Sequence, residues 1–417
     1  MTLMNRIVKQ TSTTIKDGEY KEASKKNPTD FTRNRKIPFE EVMQFMLLSY
    51  KNSTQSALRR YFASIDKPIS VKQQSFSEAR AKINVSAFTT LFKVTVDVMV
   101  EDCHKNWHNY LVYAIDGSKI ALPSDKKLLK HYGGQGRNAA SPTAQGSILY
   151  DVLNDVVIDA SITPISADER LLAKAHIDSL KGYAPGEKKL IIFDRGYPSF
   201  ELIEKIESEG LHYLMRVREK FSLEIDAQTE TDGSATLRKD GKTIHTRVIK
   251  LKLDNGETET LVTNITDKRL GKLAFKKLYF MRWSVETKYD IVKNKLHVEN
   301  FTSRTVEGIK QDFYAAMYLT NVAAAAAIDA QSEIDNARKH KNNTYKYKAN
   351  MNELIGVLKD RFVQAMTLDD TSKQSDAIQS IIDEIKRSVI PIRTDRSVTR
   401  NPCPRKSKFH HNRKTNC

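Results

Sequence analysis

Near Leu111 the hydrophobic period of the chain changes, and this limits the fold more than any other feature. Before it, apolar residues recur at helical spacing in FEEVMQFMLLSY (39–50), STQSALRRYF (53–62), SFSEARAKIN (75–84) and SAFTTLFKVTVDVMVEDCHK (86–105), where Ser86 is a candidate N-cap. After it, short apolar runs alternate with amphipathic ones. LVYAIDGSKIAL (111–122), ILYDVL (148–153), VVIDASIT (156–163), KKLIIFDRG (188–196) and LHYLMRVRE (211–219) read as strands. SADERLLAKAHIDSL (166–180) and PSFELIEKIESEG (198–210) read as helices, the second stopped by Gly210. The order β-β-β-α-β-α-β gives three strands able to run antiparallel, joined at Asn154-Asp155 by a hairpin turn, and then crossover units with parallel strands. That is an α/β chain with a mixed sheet flanked by helices.

Residues 220–268 break this rhythm. TIHTRVIKLKLDNGETETLVTNI (243–265) alternates strongly and carries Asn255-Gly256, a hairpin signal, so the region reads as a β-rich insertion. The helical period returns near Lys272 and continues through TVEGIKQDFYAAMYLTNVAAAAAIDA, MNELIGVLKDRFVQAM and SDAIQSIIDEIKR. The expected organisation is an all-helical N-terminal domain (1–108) with a polar, basic start over 1–35 that stays loosely ordered until a partner binds. A catalytic domain (109–304), a C-terminal helical region (305–388) and a disordered basic tail (389–417) follow.

The chain has 417 residues, with 68 Lys+Arg against 51 Asp+Glu, a formal charge of +17. That excess points to a polyanionic partner. No apolar run is long enough for a membrane span, and the N-terminus has no apolar signal core. Three cysteines, few and odd in number, suit a reducing cytosol better than a disulfide scaffold.

Three carboxylates stand where chemistry would want them. Asp116 and Asp194 lie at the ends of apolar strands, and Glu286 lies on the helix after the insertion. Ligands of open sheets bind beyond the carboxyl ends of strands. Converging carboxylates repel one another unless a hard cation takes their oxygens, and two such cations can clamp both oxygens of a phosphoryl displacement. Each carboxylate also has an ordinary reading. Asp116-Gly117 fits a turn, Asp194-Arg195 an Asx-turn with a salt bridge, and Glu286 a solvated helix position. The case rests on the set.

Projected on a helix, Tyr279, Arg282, Glu286 and Lys293 of YFMRWSVETKYDIVKNK (279–295) share one stripe, while Phe280, Val285, Tyr289 and Val292 supply an apolar side. An i,i+4 surface pair between Arg282 and Glu286 would explain the stripe equally well.

The spacing Tyr279-x2-Arg282-x3-Glu286-x6-Lys293, with AIDGS at Asp116, FDRGY at Asp194 and the intervening β insertion, resembles DDE transposases of bacterial insertion sequences over roughly residues 105–330. The resemblance implies an RNase H-like catalytic domain with Asp116, Asp194 and Glu286 as catalytic and metal-binding triad. It implies two Mg2+ ions, with Mn2+ able to substitute. It also implies cut-and-paste chemistry: hydrolysis at the element ends, then attack by the freed 3′-OH. Tyr279, Arg282 and Lys293 would hold phosphates, and Trp283 would stack on an unpaired base or pack in the core. Arg195 would touch DNA or form a salt bridge. The partners implied are double-stranded DNA, bound at its ends by the N-terminal helices, and a second copy in a homodimeric synaptic complex. The expected place is the cytoplasm, at the nucleoid, with no membrane association. An RNase H-like nuclease without strand transfer and an inactive DNA-binding regulator are the competing readings.

Weaker signals remain. Glu169-Arg170 resembles an acidic-basic element of the same family and otherwise reads as a helix-start charge pair. GGQGR (133–137) lacks the strand-to-helix context of a phosphate loop and reads as a flexible loop. Cys103, His104 and His108 are too few for a closed zinc site, and Cys403, His410, His411 and Cys417 match no metal spacing.

Overall fold

The computed structural model describes residues 1–33, 36–47, 53–67, 70–102, 104–253, 256–341 and 343–393, apart from the Arg137 side chain. Cys103, Asn255 and the basic tail from 394 on, with its Cys and His residues, lie outside the described residues. The chain forms two compact units. One comprises Met1–Val98, Lys295–Asn300 and the chain from Tyr318 on; the other comprises Met99–Asn294 and Phe301–Met317.

The first unit is helical. Its N-terminal helices are α1 (Leu3–Lys16), α2 (Gly18–Ser24), α3 (Phe39–Met46), α4 (Thr54–Ser64), α5 (Gln73–Arg80) and most of α6 (Val85–Asp102). Where a loose start was expected, α1 and α2 are well formed. Leu3, Met4, Ile7, Val8 and Ile15 lie along one face of α1 and are buried, each contributing roughly 1.5–3 kcal/mol. The N–H groups of Leu3 and Met4 donate to the Asp329 carboxylate at 3.1 and 2.8 Å, so a negative charge caps the positive helix end. Ser86 is not the cap of α6, which already begins at Val85.

The second unit holds the mixed sheet. Its elements in order are β1 (Tyr110–Ala121), α7 (Lys126–Tyr132), β2 (Gly134–Gln135), β3 (Ser141–Asp151), β4 (Val156–Pro164), α8 (Glu169–Ser179), β5 (Lys188–Phe193), α9 (Phe200–Ser208), β6 (His212–Val217), α10 (Leu223–Ala227), β7 (Asp232–Lys239), β8 (Lys242–Lys252), β9 (Thr258–Thr263), α11 (Lys272–Phe280) and α12 (Trp283–Asp290). Strands β4-β3-β1 run antiparallel to their neighbours, and β1-β5-β6 run parallel. This is the RNase H-like arrangement. The β3–β4 turn falls at Asn154-Asp155 as expected, with Asp155 at φ 61°. GGQGR (133–137), expected as a flexible loop, holds β2, whose Gly134 and Gln135 pair with Pro142 and Ser141 of β3.

The β insertion is not a separate module. β9 pairs with β6, and β8 and β7 follow, so it extends the main sheet to nine strands among the described residues. Ile249 and Leu251 of β8 and Leu261 of β9 share one core with Val112, Leu190, Ile192, Leu214, Phe275, Leu278 and Tyr279. The insertion thus builds the floor on which α11 rests.

The chain continues through α13 (Val306–Arg338), β10 (Lys346–Ala349), α14 (Met351–Thr367), α15 (Thr371–Ile385) and β11 (Val389–Ile392). β10 and β11 form an antiparallel pair, so the first residues of the expected tail are ordered. Among the described residues no helix is long and apolar enough to cross a membrane.

Candidate active site

Asp116 lies in the middle of β1, not at its end, and Asp116-Gly117 is strand rather than turn. Its placement is nonetheless at an edge. β5 pairs with β1 only through Ala114, opposite Ile192, and β5 stops at Phe193. Continuing that parallel register sets Asp194 beside Asp116. From Tyr113 to Ala121, β1 is held by β3, which keeps the Asp116 backbone rigid where its other neighbour has ended.

Glu286 arrives from α12. The segment expected as one continuous helix is interrupted. Met281, Arg282, Ser284 and Val285 donate to carbonyls three residues back, a tighter turn between α11 and α12, and residues 291–295 widen into a π-turn. The stripe projected at a fixed 100° per residue therefore does not exist as such, yet its members still gather near β1 and β5. The Tyr279 hydroxyl donates to Asp194 Oδ1 at 3.4 Å. Arg282 Nη2 meets Glu286 Oε1 at 3.1 Å. Lys293 Nζ meets Ser118 Oγ at 2.6 Å and the Lys119 carbonyl at 2.5 Å.

The charges of Asp194 and Glu286 are felt at Asp116. Burial first, then the charges of Asp194 and Glu286, pushes the Asp116 carboxyl up to about 6, against the Gly117 N–H and Arg282, which pull it down. Among the described residues, no three His, Cys, Asp or Glu side chains stand close enough together to close a metal site.

Tyr279 and Arg282 are each 6% exposed, so their side chains are part of the wall rather than free to sweep solvent. Trp283 is 39% exposed, off the core, with the Arg282 guanidinium 5.0 Å from its ring centre. Arg195 is exposed and forms no ion pair among the described residues. Two buried polar atoms here have no hydrogen-bond partner among the described residues: the Tyr197 hydroxyl and Arg282 Nε. Such atoms are costly unless something else meets them.

Of the other charged neighbours, the Glu169-Arg170 pair was legible in the sequence and Glu259 was not. Glu259 of β9 pairs with Arg216 of β6 at 3.3 Å, bringing a carboxylate of the insertion to the site. Its carboxyl is raised by burial, while Arg216 and Arg282 pull it down. Glu169 accepts from Gln145 Nε2 at 3.1 Å above Gly117, where a Cβ would lie 2.4 Å from that nitrogen. A lone charge within a strand, such as Glu259, carries no sequence signal of this kind. Arg170 Nη2 reaches the Gly196 carbonyl at 3.5 Å.

The family model described as "Transposase DDE domain" matches residues 107–322, more than half of the 417. "Putative transposase InsZ" of Escherichia coli (strain K12) is 22% identical over 218 residues, covering 50% of this chain and 71% of that protein. Among solved structures, the piggyBac transposase synaptic complex with hairpin DNA overlaps 91% of this chain and 82% of that one at 12% identity. The TM-score of that overlap is 0.45. By the extent of the family match, this chain belongs to the DDE-domain transposases.

Proposed function

We propose that the chain is the cut-and-paste transposase of a bacterial insertion sequence, hydrolysing a phosphodiester at each element end and joining the freed 3′-OH to target DNA. The observation that carries the reading is that Asp194 and Glu286 both act by charge on the buried Asp116 at the edge where β5 ends. These are all hard oxygen donors, which suits Mg2+, with Mn2+ as a substitute and two ions in the complete site. When bound, the ions activate water and stabilise the leaving oxygen. Asp116, Asp194 and Glu286 would hold them, and Glu286 would pass from Arg282 alone to sharing with a cation.

Trp283 and Arg195 reach solvent and are proposed to meet DNA directly. Arg282, with Nε unpartnered, and Lys293 and Tyr279, from fixed anchors, are proposed to steady the phosphates beside the carboxylates. The +17 charge supports a DNA partner, and two copies on paired ends are the proposed assembly.

The test is an excision and joining assay on a donor plasmid carrying the DNA that flanks this reading frame in its source, with Mg2+, for wild type and Glu286→Gln. The reading expects excision and joined product from wild type and neither from the variant. Cleavage without joining would favour a nuclease. DNA binding without cleavage would favour an inactive regulator.

A further inference from the structure

Lys288 is a buried cation that the proposed chemistry does not use. It lies two residues after Glu286 on α12, and its side chain is 3% exposed. Leaving a lysine ammonium in such a place is expensive unless it is paired. Its partner is Asp155, in the β3–β4 turn, with Nζ 2.6 Å from Oδ1. The Tyr150 hydroxyl donates to the same Asp155 oxygen. The Tyr150 ring also faces the ammonium, 5.3 Å from its centre.

The anchor itself is stiff. Asp151 accepts from the Leu153 and Asn154 N–H groups at 3.1 and 3.0 Å, and from Asn154 Nδ2 at 2.9 Å, so the turn that carries Asp155 is tied from within. Tyr150 sits on β3 opposite Ala114, two places along from Ile148, the register partner of Asp116. The next residue of α12 makes a second tie: the Tyr289 hydroxyl lies 3.0 Å from the Asp116 carbonyl and 3.3 Å from that of Gly146. One inward side of α12 is thus fastened to β1 and β3 at two adjacent residues. Its outward side carries Glu286, whose side chain is 41% exposed.

We propose that Lys288 is a positioning residue: by clamping α12 to the β3–β4 turn, it sets where the Glu286 carboxylate stands relative to Asp116. The inference rests on the metal-binding reading above. Arg282 holds Glu286 by a single contact within the same helix, which orients the carboxylate but cannot fix the helix against the sheet. The Lys288–Asp155 pair crosses from helix to sheet, and so bears on the separation of two carboxylates that come from different elements.

The clamp and a simple charge effect predict opposite signs. Removing a cation near a metal site should tighten metal binding by electrostatics alone. Removing a clamp should weaken it, because partners that orient metal ligands typically contribute about 10–100-fold in affinity. The experiment measures Mn2+ binding to full-length wild type, Lys288→Met and Lys288→Arg by electron paramagnetic resonance of free Mn2+, with thermal unfolding of each in chelator. The expected result is about a tenfold rise in the Mn2+ dissociation constant for Lys288→Met and recovery to within about threefold for Lys288→Arg.

Unchanged or tighter binding by folded Lys288→Met would overturn the inference while leaving the metal reading intact. Failure of wild type to bind Mn2+ would instead overturn that reading. Should Lys288→Met not fold, Lys288→Gln, which also removes the cation that meets Asp155, carries the same test: weaker Mn2+ binding is again expected, with unchanged or tighter binding overturning the inference.

Discussion

Two groups of titratable side chains stand on one sheet of the catalytic unit, and they are built in opposite ways. His176 of α8, 1% exposed, meets Asp159 Oδ2 through Nδ1 at 2.8 Å and Ser147 Oγ through Nε2 at 3.0 Å. Those residue types can make a nucleophilic triad. Here Ser147 is 2% exposed, and both ring nitrogens of His176 are taken up, Nδ1 by Asp159 and Nε2 by Ser147. The group fastens α8 to β3 and β4. The carboxylate group is its reverse. Burial first, then the charges of Asp194 and Glu286, raises the Asp116 carboxyl; Glu286 is part-exposed, and the neighbouring Tyr197 hydroxyl and Arg282 Nε have no hydrogen-bond partner among the described residues. Satisfied polar groups hold a fold together, whereas unsatisfied ones beside like charges are where a proposed ligand would relieve the cost.

That contrast breaks most readily at the carboxylates. Asp116→Asn, Asp194→Asn or Glu286→Gln should lower DNA cleavage by about a thousandfold or more, with thermal unfolding of the metal-free protein no lower than wild type. A variant that keeps cleavage, or that loses it only by unfolding, would erase the distinction. His176→Ala should behave the other way round. It strands Ser147 and Asp159 and should cost about 2–3 kcal/mol in denaturant unfolding, while Mn2+ affinity of the folded protein stays the same. A loss of metal affinity at full stability would make His176 part of the site.

A smaller effect sharpens the electrostatic side. The Asp116 carboxyl titrates near 6 in the folded chain against 3.8 ordinarily. A raised value means that its stabilising share is complete below the ordinary value and is lost as pH rises through about 6. Metal-free wild type should therefore gain about 1 kcal/mol between pH 7 and 5 relative to Asp116→Asn. Parallel pH profiles for the two proteins would remove burial and like charge as the cause.

Much of this was legible in sequence because apolar period and chain order are local properties. The hairpin at Asn154-Asp155, the parallel strands and the β insertion followed from runs of Val, Ile and Leu punctuated by turn residues. The DDE-domain family was legible because its residues sit at fixed spacings along the chain. What failed was whatever depends on how far an element runs or what packs on it. Asp116-Gly117 has turn composition, but β3 pairs across it and carries β1 on to Ala121. The tight turn between α11 and α12 contains neither Gly nor Pro, so a uniform helix was drawn through it. α1 was hidden by its polar neighbours, although Leu3, Ile7 and Ile15 mark its inner face. Lys288 and Glu259 carry no signal at all, since each acquires meaning only from a partner on a distant stretch of chain.

The central claim is that one cation touches β1, the end of β5 and α12 together, and it can be tested without knowing the DNA sequence. Fe2+ with ascorbate and peroxide generates radicals that cut the polypeptide beside a bound ion. Bound at the proposed site, it should cut near residues 116, 194 and 286, with all three cuts suppressed by excess Mg2+ and lost together in Asp116→Asn. Cuts confined to other segments, or cuts at these positions that survive in Asp116→Asn, would contradict a shared metal site.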